Sequence, residues 1–240
     1  MSSQIFLEEH EGIQVLREDL IPGGSKSRFV PALIHDAREI VFGGPFCGGA
    51  PVALSEVGKR LGIPVTIFYA QRKELVRYQR KVLENGAKII QVPHGYMSNV
   101  QAKARRYAEE AGAKFIPLGL DLPEAQAPFL AFMSQLRSQI GDPDEIWCAT
   151  GSGMLARCLG LGFPLSRIYG VKVGLASRSS KQLWPRNVSL LECRYDFSQA
   201  CKFPAPFPSS PFYDLKAWEA LKTHRPDPSG KRILFWNVLY

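Results

Sequence analysis

Residues 21–29 read IPGGSKSRF and set one lysine, Lys26, behind two glycines and a serine, where a strand-like run gives way to a helix-like one. Gly23 and Gly24 suit a tight turn, and Ser25 is a candidate N-cap for a helix beginning near Lys26. A helix dipole disfavours a cation on that first turn and favours the neutral amine that a Schiff base needs. Alone, the stretch still reads as a surface lysine, the usual setting for that residue. A second stretch, ATGSGML at 149–155, places Gly151 and Gly153 where backbone can close on an anion. Thr150 and Ser152 add hydroxyls, and the helix that follows aims its N-terminal amides at the same point. This is the composition of a phosphate cup, without the GxxxxGK[ST] pattern of a P-loop; many strand-to-helix turns use such glycines for geometry alone. GGPFCGGAP at 43–51 is a third glycine-bearing turn, and His94 and Tyr96 in PHGYMS are candidate acid–base groups, against a plainer reading as polar loop residues.

The elements that must position these residues alternate. EIVFGG (39–44) precedes the helical PVALSEVGKRLG (51–62), and PVTIFYA (64–70) precedes KELVRYQRKVLENGA (73–87). KIIQVP (88–93) precedes SNVQAKARRYAEEAGA (98–113), and KFIPLGL follows. A long helix over 123–141 turns Phe129, Phe132, Leu136 and Ile140 inward, a strand at 144–150 runs into the glycines, and a helix over 154–162 leads to a strand at 167–174. After the proline-rich crossing KFPAPFPSSPF (202–212) come a helix over 213–224 and a last strand, RILFWNVLY. Repeated strand–helix–strand units predict an α/β fold with parallel β-sheets flanked by helices, whose ligands sit at the carboxyl ends of strands.

Composition narrows the chemistry. At 240 residues and 45% hydrophobic content the chain can bury a proper core. No apolar run reaches the roughly 18 to 20 residues that span a bilayer, and MSSQIFLEEHEGIQ lacks the features of a signal peptide. A cytoplasmic protein is expected, or one of the host cytoplasm if the source is viral. The five cysteines are odd in number, scattered and without a CxxC pair, and the four histidines are dispersed, which predicts reduced thiols and no metal site. The formal charge of +8 permits an anionic partner. Much of it lies in 71–81 and 102–110, helical stretches whose solvent faces would carry such residues in any case.

Taken together, the early lysine, the glycine turn after one strand and the glycine–serine cup after a later one resemble the fold-type II pyridoxal-phosphate enzymes, the group of tryptophan synthase β, threonine dehydratase and aminocyclopropane-carboxylate deaminase. REDLIPGGSKSR is most similar to the deaminase-like branch. The resemblance, spanning residues 13–175, implies a compact two-lobed architecture, with 43–120 as a smaller βαβ lobe and 1–42 with 121–240 as the larger cofactor-binding lobe. It implies that Lys26 is the Schiff-base residue and that Thr150, Gly151, Ser152 and Gly153 hold the cofactor phosphate. Cys47, Gly48 and Gly49 would offer amides to the substrate carboxylate, with Tyr96 on the same substrate side. Ser209 or Ser210 would face the pyridine nitrogen, as a late hydroxyl often does in the family. Gly49 falls where the family carries an asparagine beside the cofactor's 3′-oxygen, a departure that removes a side-chain hydrogen bond. Homodimerisation is a further family trait.

Near the C-terminus, FPSSPFYDLKAWE and LFWNV resemble small pyridoxal-phosphate-dependent bacteriophage proteins from gene clusters for hypermodified thymidine. That likeness implies an amino-acid-type substrate already attached to thymine in DNA, with decarboxylation or elimination at its α-carbon, and gives the basic helices a polyphosphate chain to hold. The plainer reading makes Trp218 and Trp236 core aromatics and Asp214 a helix cap. A non-catalytic α/β protein that retains the fold and binds nucleic acid or nucleotides is the competing class.

Overall fold

The computed structural model describes residues 4–93, 96–174 and 183–239. In chain order its strands are β1 (Leu7–His10), β2 (Ile13–Arg17), β3 (Ile40–Gly43), β4 (Val65–Ala70), β5 (Lys88–Val92), β6 (Lys114–Ile116), β7 (Glu145–Thr150), β8 (Arg167–Lys172), β9 (Val188–Glu192) and β10 (Ile233–Asn237). The helices are α1 (Val30–Ile34), α2 (Gly49–Leu61), α3 (Arg77–Glu84), α4 (Met97–Ala111), α5 (Pro123–Ile140), α6 (Met154–Gly162) and α7 (Asp214–His224). Two compact units result, Met1–Ile21 with Gln126–Tyr240, and Pro22–Ala125. Residues 22–42, Lys26 included, therefore belong with the smaller unit, because α1 and the turn at Gly24–Arg28 pack on α2.

The larger unit is a six-stranded sheet in the order β1-β2-β10-β7-β8-β9, parallel except for β1. Both faces of its centre are covered, so all six residues of β7 are buried. Trp147 and Ala149 join Ile13, Val15, Phe235 and Trp218 of α7 in one apolar cluster. Trp236 points the other way and meets Phe129 and Phe132 of α5 edge-on, each at 6.1 Å between centroids. Trp218 and Trp236 are thus core aromatics, at 1% and 0% exposure.

The smaller unit is a fully parallel sheet in the order β5-β4-β3-β6. Val41, Phe68 and Val92 pack against Val100, Ala104 and Ala108 of α4, at the i, i+4, i+8 spacing of one helical stripe; α2 also packs on β3 and β4. Three local expectations change. Helix α3 starts at Arg77 rather than near residue 73, because the Gln79 side chain folds back to accept the Val76 N–H at 3.1 Å and fixes the start there. Strands β1, β2 and β9 carry too little alternation to have been marked, and β1 owes its place to pairing with β2. Ser25 is not an N-cap, since a 3-10 turn over Gly24–Arg28 opens after Gly23, which takes φ 82°.

Candidate active site

In the smaller unit, Lys26 lies inside that five-residue turn and is half-buried, while Ser25, Ser27 and Arg28 around it are buried. Ser27 Oγ donates to Pro22 O at 2.6 Å, which ties the turn back onto its own start. A side chain on Gly23 would strike Ser27 Oγ and come within 3.1 Å of Ala53 Cα on α2, so the lysine's support is packed directly against that helix. The turn after β3 then delivers Cys47, buried at 3%, and Gly48 and Gly49 at the head of α2. Gly48 donates its N–H to Pro45 O at 3.2 Å. Gly49 is the first helical residue, and no side chain caps that end. Tyr96 immediately precedes α4 and is 86% exposed. His94 lies outside the described residues.

In the larger unit, β7 runs into Gly151, Ser152 and Gly153, and Gly153 takes φ 99° ahead of α6. That left-handed conformation turns the chain sharply into the helix and is open to glycine without strain. No side chain caps α6, so its leading amides face the loop. Thr150 is buried and directed along the sheet: its Oγ1 lies 3.9 Å from Cys148 Sγ, and a side chain at Gly170 on β8 would meet it at 2.8 Å. The loop donors are therefore backbone amides and Ser152, with the Thr150 hydroxyl beneath them.

Tyr213 belongs to the FPSSPFYDLKAWE stretch that carries the phage resemblance, but its place beside the glycine turn is what sequence reasoning passed over. It stands at the N-cap of α7, where Ser, Thr, Asp or Asn is usual, and that unusual placement is the signal that could have marked it. Its hydroxyl reaches the turn: a side chain on Gly151 would meet Tyr213 Oη at 2.9 Å. Burial, followed by the negative charges available to Asp214 and Cys148, pushes the Tyr213 phenol well above its usual range, against a hydrogen bond from the Gly151 backbone. Burial likewise pushes the Cys148 thiol up to about 12. Both groups keep their protons near neutrality and present no anion to the turn. Asp214 does not cap α7. It is fully buried, and its Oδ2 accepts the Leu239 N–H at 3.1 Å, which fastens the end of the chain.

Ser209 and Ser210 are both buried in this unit. Ser209 Oγ donates to Asn237 Oδ1 at 2.8 Å, Asn237 Nδ2 donates to Asp19 Oδ1 at 2.8 Å, and Asp19 pairs with Arg17 at 2.9 Å. This chain holds the serine in place while leaving its oxygen able to accept. Uncapped amides, a serine hydroxyl and neighbours that stay protonated, with no acidic residue in 149–155, form a donor set that fits a phosphate dianion. Lys26, half-buried on a fixed turn, fits an amine awaiting an aldehyde. Among the described residues no group of three His, Cys, Asp or Glu could hold a metal ion, and no helix is long and apolar enough to cross a membrane.

Comparison with known proteins agrees with this chemistry. The glycyl-dTMP PLP-dependent decarboxylase of Pseudomonas phage M6 is 25% identical over 265 aligned positions, covering 96% of this chain and 95% of that protein. Among solved structures, an ACC deaminase homologue superposes with a TM-score of 0.78 at 19% identity, over 94% of this chain and 83% of its own. The O-acetylserine dependent cystathionine beta-synthase from Helicobacter pylori gives 0.69 at 17% identity, over 99% and 92%. These likenesses establish the fold as that of the fold-type II enzymes. The profile of the pyridoxal-phosphate dependent enzymes matches residues 5–190, well over half of the chain, and the protein belongs to that family, with pyridoxal phosphate as its cofactor.

Proposed function

We propose that this enzyme is a decarboxylase acting on an amino acid carried by a thymine nucleotide. The observation that supports this most is the end-to-end likeness to the phage glycyl-dTMP decarboxylase, which leaves almost no part of either chain unmatched. Pyridoxal phosphate, when bound, supplies an electron sink for a bond broken at the α-carbon of an amine substrate.

This chain's residues have the following roles in the proposal. Lys26 holds the cofactor and, once released by the substrate amine, hands a proton from Nζ to the α-carbon that carbon dioxide has left. Ser152 and Gly153 hold the phosphate with amides and one hydroxyl, over Thr150, while Gly151, whose own N–H is turned to Tyr213, lets the backbone close on it. Ser209 or Ser210 accepts from or donates to the pyridine nitrogen. Cys47 and Gly49 turn backbone amides toward the substrate carboxylate before it leaves. With Gly49 in place of an asparagine, the protein makes no side-chain hydrogen bond to the 3′-oxygen from that position, so more of the positioning falls on Lys26 and the cup.

The test is direct. The holoprotein, incubated with an oligonucleotide bearing a glycyl-modified thymine, is expected to yield a product lighter by one carbon dioxide in mass spectrometry. Borohydride treatment is expected to bleach the visible band and fix the cofactor on Lys26. Release of ammonia with the carboxylate retained would replace decarboxylation by deamination or elimination, the other outcomes open to this cofactor.

A further inference from the structure

The glycine turn after β3 opens on one peptide group, the C=O of Gly43 with the N–H of Gly44, flanked by two residues of the least restrained kind. Both of its polar atoms are nevertheless held. Gly44 donates its N–H to Phe68 O on β4 at 3.0 Å, and Gly43 O accepts from Gln101 Nε2 on α4, 58 positions away in sequence. The plane of that peptide is therefore fixed from two sides.

Helix α4 comes as near to the strand end as a glycine permits. A side chain on Gly43 would lie 3.2 Å from Gln101 Nε2 and from Val100 O, and 3.3 Å from Ala104 Cβ. Val100 and Ala104 belong to the stripe that α4 packs on Val41 and Phe68. Burial of that stripe thus carries Gln101 to the end of β3, and the missing Cβ of Gly43 admits its amide. Gly43 and Gly44 are buried while Gln101 is half-buried, so the carbonyl would be badly placed to find water if the amide were withdrawn.

The rest of the turn follows from that first peptide. A side chain on Gly44 would strike the Phe42 ring, and the ring of Pro45 sets its own φ. Gly48 closes its N–H on Pro45 O at 3.2 Å, and Phe46 between them carries Arg72 4.0 Å from its ring centroid. Gly49 then opens α2 with no side-chain cap. Only short, constrained steps separate the Gly43–Gly44 peptide from the head of α2, so a rotation of that peptide is passed on to the amides beyond it.

We infer that Gln101 is a positioning residue for the substrate carboxylate. It acts through the turn and not on the substrate: its amide holds the first peptide, and with it the direction of the Cys47 and Gly49 backbone amides. The inference rests on the role proposed for those two amides and adds the group that aims them.

The experiment compares glycine with glycinamide, two amines that differ in the carboxylate, as ligands of the holoprotein. Binding is read from the immediate shift of the visible cofactor band. The ratio of the two affinities, compared between wild type and variant, cancels their difference in amine basicity. Gln101→Met keeps the length of the side chain and removes its donor. The preference for glycine is expected to fall roughly three- to ten-fold in this variant, the worth of one hydrogen bond, with glycinamide affinity unchanged. Gln101→Glu keeps the shape and turns an acceptor on the Gly43 carbonyl, so it is expected to lower the ratio at least as far. Both variants are expected to keep the visible band, because neither removes a group that holds the cofactor. A merely structural role would weaken both amines together and leave the ratio where it was; that result overturns the inference and leaves the role of the 47–49 amides standing. Equal affinity of the wild type for the two amines would overturn that role as well.

Discussion

Around residues 150–153 the larger unit surrounds its glycine turn with neutral groups: the buried Thr150 hydroxyl and Cys148 thiol, and the phenol of the partly buried Tyr213. Around 43–49 the smaller unit does the reverse, sending its glycine turn to a sheet edge with an exposed tyrosine and a line of cations. Two glycine turns that look alike in sequence thus lie in different surroundings. An enclosed arrangement of donors suits one small group of fixed shape, such as the cofactor phosphate proposed for this turn. An exposed charged rim suits a long, flexible, solvated ligand whose contacts are many and individually weak.

The largest break in that comparison is expected at the residue that neither kind of surroundings replaces. Lys26→Ala should remove the visible band of bound cofactor and lower turnover by on the order of 10³-fold or more, because the proposed mechanism gives this residue both the attachment point and the proton transfer. Lys26 is only half-buried, so circular dichroism should not change. Retained turnover would move the chemistry to another amine.

Gly151→Ala comes next and probes the closed turn. The new methyl lies 2.9 Å from Tyr213 Oη, a contact that a well-packed site resists at a cost of about 1 to 3 kcal/mol. Cofactor affinity should drop roughly ten-fold or more on titration with pyridoxal phosphate. Adding Tyr213→Phe removes the clashing oxygen and should recover much of the loss. No recovery in the double variant would mean that Tyr213 does not shape the cup.

How much of this was readable in the chain divides along the same line. The parallel fold and the glycine turns at 43–49 and 150–153 follow from local signals: β-branched runs, helix stripes, and glycines at strand ends. What could not be read depends on contacts distant in sequence. Tyr213 meets Gly151 across 62 positions and Asn237 reaches Asp19 across 218, and neither pairing leaves a local pattern. The same holds for β1, which exists by pairing with β2, and for Asp214, whose carboxylate turned out to hold Leu239 rather than its own helix. In the smaller unit the stretch 71–76 looked helical by charge spacing, and the Gln79 cap that denies it a helix is a geometric event. The same spacing puts Arg72 on a solvated helical face, whereas the loop conformation lays it on Phe46.

Energetics should follow the contrast too. In the larger unit, burial alone would raise the Glu145 carboxyl, but hydrogen bonds from Arg225, Lys231 and Trp147 Nε1 outweigh it and hold the group at about 2, below its ordinary 4.5. A carboxyl depressed in the folded state contributes stability that is fully present above the unfolded value and is lost as pH falls through the folded one. Glu145→Gln should therefore cost about 2 kcal/mol near neutrality, the shift being discounted for its partly exposed partners. The gap between wild type and variant in urea melts should close as pH falls from about 4.5 to about 2. A gap that does not change with pH would assign the loss to packing.

The smallest effect is expected from an ion pair in the other unit. Lys114 donates to Asp36 at 2.9 Å, and their side chains are 38% and 61% exposed. Its hydrogen bond to Lys114 lowers the Asp36 carboxyl, yet solvent screens the pair and both chains must be ordered to make it. Asp36→Asn should leave the melting midpoint where it was, at low salt and at high salt alike. A clear, salt-sensitive drop would show that the smaller unit also draws stability from this exposed pair. An unchanged midpoint would leave its stability with the apolar layers that α2 and α4 form on the sheet, as solvent screening of the pair requires.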